Sequence, residues 1–308
     1  MAEIVITEFM DEGAVAALRE RCDVHYDPDL ADRPDDIAAL LGDARAIIVR
    51  NRTTVGPALL DAAPGLRAVG RLGVGLDNID VAACAAREVE VLPAIGANAV
   101  AVAEYVVTAV LVLLRGVYTS SGQVVAGEWP RTELVGREAL GKTLGLVGLG
   151  TIGREVASRA VGLGLRIAAA DPFLDPGDPA WTGIVRFGLP DLLAQSDALS
   201  LHVPLTDDTR HLIDEAAIAT MRPGAVLVNT ARGGIVDEDA LAAALRDGRL
   251  GGAALDVFDA EPLDPEGGGR FAGVPNLILT PHVAGITVES NVRVSNLTAD
   301  NVLRAIGA

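Results

Sequence analysis

Gly145-Leu-Val-Gly148-Leu-Gly150-Thr-Ile-Gly153-Arg-Glu-Val-Ala-Ser-Arg-Ala-Val-Gly-Leu-Gly-Leu-Arg-Ile-Ala-Ala-Ala-Asp171 is the stretch whose reading decides the fold. The apolar run Thr143 to Val147 predicts a strand, the glycines a tight turn, the next residues a helix, and the second apolar run another strand that ends on an acid. Each glycine has a physical task. Gly148 permits the turn, Gly150 lets backbone approach a pyrophosphate, and Gly153 lets the helix pack close to the sheet. The helix N-terminus then offers unpaired N–H groups to the phosphates. Asp171 stands where a carboxylate can accept hydrogen bonds from the adenosine ribose hydroxyls, a choice that favours NAD over its 2′-phosphorylated form. Strand, turn, helix, strand and acid in this order predict a dinucleotide-binding Rossmann unit.

The rest of the chain alternates short strands with helices in the same way. Before this stretch, strands are predicted near Ile4–Thr7, Val24–Tyr26, Ala46–Val49, Ala68–Val69 and Val89–Leu92. After it they are predicted near 198–202, 225–229, 253–257 and 277–279, with helices between them. Alternation of this kind implies parallel sheets covered on both faces. The fold class is therefore α/β with two doubly wound parallel-sheet domains, and a length of 308 residues accommodates both. From Ala97 to Arg115 a long, nearly all-apolar helix must be buried inside the molecule or against a second subunit, and a dimer interface is the expectation. The glycines Gly267 to Gly269 read as a flexible surface loop.

Composition narrows the partners. A count of 42 acidic against 25 basic residues, a net charge of −17, argues against nucleic acid and anionic membranes. The apolar run Tyr105 to Leu114 is too short to cross a bilayer, and MAEIVITEF lacks the basic start of a signal peptide. The two cysteines, Cys22 and Cys84, have no ligand-like spacing, so no metal site is expected and a reducing, cytoplasmic compartment fits.

An anionic substrate then needs a local cluster of arginines. Arg50 and Arg52 in VRNRT and Arg71 in GRLGVG follow predicted strand ends, where open α/β sheets bind ligands. The Gly73-Val74-Gly75 turn could add backbone N–H groups for a carboxylate. Of four histidines, His282 in LTPHVAG stands out because it follows a strand and a proline at a carboxyl end. Histidine exchanges protons near neutral pH, which suits a hydroxyl or carbonyl oxygen as its partner. Glu261 in DVFDAEPL is the nearest acid at an equivalent strand end and would fix the histidine tautomer. Arg232 in NTARGG could grip a substrate carboxylate through a forked pair of hydrogen bonds.

The motifs RLGVGLDNID, GKTLGLVGLGTIGREVA, LVNTARGGIVDEDAL, GAALDVFDAEP and LTPHVAG together resemble the D-isomer-specific 2-hydroxyacid dehydrogenases along nearly the whole chain. The resemblance implies a Rossmann cofactor domain, residues 98–285, inserted in a flavodoxin-like substrate domain formed by residues 1–97 and 286–308. It implies Arg232, Glu261 and His282 as catalytic residues, with hydride passing between NAD and a 2-keto or 2-hydroxy acid. It also implies cofactor contacts by Thr151, Ile152, His202, Val203, Pro204, Thr209, Ala231 and Asp256, the last at the nicotinamide carboxamide. Two subunits would pair through their cofactor domains. Arg50, Arg52 and Arg71 point to a substrate with a second anionic group, such as phosphoglycerate or sulfolactate. The alternatives are a glyoxylate or hydroxypyruvate reductase, a formate or phosphonate dehydrogenase, and a nonenzymatic NAD-sensing corepressor. At Ile286 in HVAGIT the sequence lacks a serine that phosphoglycerate-specific relatives place there, which removes a substrate hydrogen bond.

Overall fold

The computed structural model describes residues 2–308, which divide into two compact units. The first comprises the chain up to Asn98 together with Ile286–Ala308, and the second is Ala99–Gly285.

In the first unit, strands β1 (Ile4–Ile6), β2 (Val24–Tyr26), β3 (Ala46–Val49), β4 (Ala68–Arg71) and β5 (Glu90–Pro93) alternate with helices α1 (Glu12–Arg19), α2 (Pro34–Leu40), α3 (Pro57–Asp61) and α4 (Val81–Ala85). The sheet is parallel with order β2-β1-β3-β4-β5, a flavodoxin-like arrangement whose direction of winding reverses between β1 and β3. Strands β1 and β3 are buried throughout, as apolar runs without alternation require when both faces are covered.

The second unit starts with α5 (Ala99–Arg115) and the short α6 (Ser121–Val125). It continues through β6 (Thr143–Val147), α7 (Thr151–Val161), β7 (Arg166–Ala170), the edge strand β8 (Val185–Arg186), α8 (Leu189–Gln195) and β9 (Ala198–Leu201). Then follow α9 (Glu215–Thr220), β10 (Val226–Asn229), α10 (Glu238–Arg246), β11 (Gly252–Leu255), α11 (Pro265–Gly269) and β12 (Leu277–Leu279). Its seven parallel strands run β12-β11-β10-β9-β6-β7-β8, and winding reverses between β6 and β9. The last helix, α12 (Val288–Ile306), starts at a Thr287–Ser290 capping box and belongs to the first unit. It lies so close to β4 that a Cβ on Gly70 would come within 2.6 Å of Val302.

Two expectations change. Helix α5 buries Val102, Val106, Val110, Leu113 and Leu114 in the core of its own unit, against residues of β6, α7 and β7, so its apolar surface needs no second subunit. Gly267 to Gly269 do not form a loop. They complete α11, which Pro265 opens and Asp264 caps by accepting the Gly267 N–H at 2.7 Å.

Candidate active site

The dinucleotide turn is built by absence of side chains. Gly148 has φ +91, and a Cβ there would lie 2.7 Å from the His202 carbonyl oxygen at the end of β9. A Cβ on Gly153 would lie 2.5 Å from the Gly148 carbonyl. Gly150 differs from both, because a Cβ there meets nothing within 4 Å. Gly150 is also the N-cap of α7 and supplies no side-chain hydrogen bond, so the N–H groups of the first turn, from Thr151 and Ile152 to Gly153, are left for an incoming anion. These features fit the pyrophosphate of a dinucleotide. Asp171, just past β7, accepts the Leu149 N–H at 2.9 Å and the Phe173 N–H at 3.0 Å, which fixes its carboxylate beside the turn.

His202 and Val203 flank Gly148, while Pro204 is exposed and its carbonyl accepts the Thr209 hydroxyl at 2.7 Å. Burial of the His202 ring pushes its pKa down to about 4, and its Nε2 finds no hydrogen-bond partner among the described residues.

The other side chains expected from the sequence to be functional stand on loops after β10, β11 and β12. Asn229 at the end of β10 accepts the Ala231 N–H at 3.0 Å and donates to the Arg232 carbonyl at 2.9 Å, tying the Arg232 loop into a turn. The Arg232 guanidinium donates to the Ala231 carbonyl at 2.6 Å. Gly233 admits the next loop, since a Cβ there would sit 1.8 Å from the Phe258 oxygen. Glu261 on that loop accepts the Phe258 N–H at 3.0 Å through Oε1 and reaches His282 Nδ1 at 2.7 Å through Oε2. Glu238, buried on α10 and with its carboxyl pushed above the usual range by that burial, accepts the Asp259 N–H at 2.8 Å and braces the same loop.

His282 adopts φ +55, a left-handed conformation that a β-carbon disfavours. Asp256 holds it there. This carboxylate is 1% exposed, and it accepts the Val283 N–H at 2.8 Å, the Ala284 N–H at 2.8 Å and the Thr280 hydroxyl at 2.6 Å. Its backbone oxygen takes the His282 N–H at 2.8 Å. Tyr105 on α5 shares a 2.6 Å hydrogen bond with Thr280 and extends the brace. Asp256, implied by the resemblance to lie at a nicotinamide carboxamide, thus has both oxygens engaged in shaping the His282 loop.

The arginines of the first unit lie at the ends of neighbouring strands, since Val49 of β3 pairs with Arg71 of β4. Arg50 and Arg52 share the loop after β3. Arg50 bonds Asn291 at 2.9 Å and lies 5.9 Å from the Phe9 ring centroid, while Arg52 pairs with Asp32. Arg71, the last residue of β4, donates to the carbonyls of Gly75 at 2.7 Å and Leu72 at 2.6 Å. Gly73, with φ +149, leaves room for that guanidinium, and its N–H goes to the Arg71 carbonyl at 2.8 Å instead of facing outward. Val74 follows in the same turn and is 37% exposed.

The model for the D-isomer-specific 2-hydroxyacid dehydrogenase NAD-binding domain matches residues 107–284. An (S)-sulfolactate dehydrogenase of Chromohalobacter salexigens is 56% identical over 308 residues, covering 100% of this chain and 99% of that protein. A D-3-phosphoglycerate dehydrogenase of Mycobacterium leprae is 38% identical over 305 residues, 98% of this chain, which spans 56% of that protein's length. Among solved structures, the TT0316 protein of Thermus thermophilus superimposes with a TM-score of 0.88 at 32% identity, over 99% of this chain and 96% of that one.

Proposed function

The chain belongs to the D-isomer-specific 2-hydroxyacid dehydrogenase family, with NAD as its cofactor, and we propose that its substrate is a 2-hydroxy acid bearing a second anionic group, of the sulfolactate type. The 2.7 Å Glu261–His282 contact carries the chemical part of this reading. With Nδ1 held by the carboxylate, Nε2 is the atom of His282 that exchanges a proton with the substrate oxygen. NAD, when bound, supplies or accepts the hydride at the carbon bearing that oxygen. Arg232 pairs with the substrate carboxylate through its planar fork. Gly148, Gly150, Gly153 and the first turn of α7 receive the pyrophosphate, and Asp171 selects the unphosphorylated ribose.

The second anion is assigned to Arg50 and Arg52. Support comes from the 56% identity to a sulfolactate dehydrogenase and from Ile286, which lacks the hydroxyl expected for phosphoglycerate. The test is a panel of glyoxylate, hydroxypyruvate, phosphohydroxypyruvate and sulfopyruvate with NADH, read at 340 nm. Sulfopyruvate should give the highest kcat/KM; equal values for sulfopyruvate and glyoxylate would refute the second-anion assignment.

A homodimer is also proposed. Tyr118, Val125, Trp129, Val135 and Leu140 all lie exposed on the segment after α5, apolar side chains that a second copy would cover. The free, buried Cys22 and Cys84 accord with a reducing, cytoplasmic compartment. Sedimentation at micromolar protein reads the assembly state directly, and a monomer would refute the dimer.

A further inference from the structure

In the first unit the winding of the sheet reverses between β1 and β3, the place where parallel sheets leave a crevice for ligands. That place is filled by the protein's own carboxylate. Glu8, just past β1 and only 3% exposed, accepts four consecutive backbone N–H groups of the loop after β3. Its Oε1 takes Arg50 at 2.8 Å and Thr53 at 3.0 Å, and its Oε2 takes Asn51 at 3.1 Å and Arg52 at 3.0 Å. A hydroxyl contact of 2.7 Å between Thr7 and Thr53 closes the loop end. Burial raises the Glu8 carboxyl, but the four N–H bonds together outweigh it and hold the group below the usual carboxylate range.

Consecutive N–H groups converging on one point form a concavity that binds anions. Here the concavity already holds one. An external anion at this loop must therefore be held by the side chains, and the same bonds fix where those side chains start. Arg50 is directed over Phe9 and to Asn291, and Arg52 leaves the loop toward an exposed partner, Asp32. Exposed pairs of that kind contribute little and exchange readily for another anion.

We propose that Glu8 is a positioning residue for substrate selection: as a built-in anion it shapes residues 50–53 into a loop that recognises the second anion through guanidinium groups. This rests on the proposed role of Arg50 and Arg52.

The test compares kcat/KM for sulfopyruvate with that for glyoxylate, which has no second anion. In E8Q the amide nitrogen faces two backbone donors that it cannot satisfy, so the sulfopyruvate-to-glyoxylate ratio should fall about 10-fold, mostly through KM. E8D keeps the charge one methylene further back and should restore part of that ratio. A purely structural role would lower both substrates together and leave the ratio unchanged, which overturns the inference. Should E8Q not fold, E8D decides, because a ratio about 3-fold below wild type supports the proposal and an unchanged ratio overturns it. A wild-type enzyme that does not prefer sulfopyruvate refutes the role of Arg50 and Arg52 instead, a result separable from either variant.

Discussion

Both units reverse their winding at one point in a parallel sheet, and they use that point in opposite ways. In the second unit, between β6 and β9, the strand ends in Gly148 and opens onto Gly150 and an uncapped helix. In the first, between β1 and β3, the corresponding place is filled by Glu8. Topology makes each crevice an anion site, and the residue at the strand end decides whether the anion comes from outside. A missing side chain leaves room for a cofactor. A glutamate supplies an internal anion and hands recognition to arginines. The residues proposed for catalysis, Arg232, Glu261 and His282, belong to neither point; they stand on the loops after β10, β11 and β12.

That separation of roles predicts separable defects. H282A should lower turnover by about 100-fold or more, near 3 kcal/mol, while NADH titrated by fluorescence still binds with wild-type affinity. Coupled loss of both would show that catalysis and cofactor binding are not divided as described. G150V should do the reverse. Its Cβ enters open space, so the melting temperature stays near wild type while NADH affinity falls about 100-fold, and unchanged affinity would mean that the open face of the turn is not where the cofactor lies. R232A should raise the substrate KM about 50-fold, with a smaller loss of kcat, because the lost forked pair holds the substrate carboxylate in ground and transition states alike. An unchanged KM for every keto acid would remove Arg232 from carboxylate binding.

The two reversal points also differ in how far sequence reveals them. The open one is written in glycine spacing, since each glycine marks a place where a Cβ would collide or block, and the turn could be read residue by residue. The filled one is not. Among the described residues Glu8 bonds only to backbone N–H groups, which every residue but proline carries, so its partners at 50–53 leave no mark in residue type. The remaining clue, an acid two residues after the apolar run Ile4–Ile6, becomes informative only once β1 and β3 are seen to be neighbours. Asp256 is similar. Its residue type suggests a polar contact, yet its bonds to the Val283 and Ala284 N–H groups depend on the pairing of β11 with β12. Helix α5 shows the opposite error, for apolarity around a helix reports burial but not which surface provides it.

The difference between the two points extends to protons. The filled one is held by a carboxylate whose pKa is depressed, so its bonds persist until the solution is acidic enough to protonate Glu8. The open one is packed against His202, neutral in the fold with a pKa of about 4, against an ordinary value of 6.5. The unfolded chain therefore binds the extra proton first, so stability is full above the ordinary value and is lost as pH falls from there toward the folded value. Between pH 7 and pH 5 this amounts to about 2 kcal/mol. Urea denaturation at the two pH values should show that loss in the wild type, and H202N, which cannot take up the proton, should show a decrease smaller by about 2 kcal/mol. Equal decreases would mean that the ring beside Gly148 accepts a proton without cost, and the open reversal point would then be no more acid-sensitive than the one that Glu8 fills.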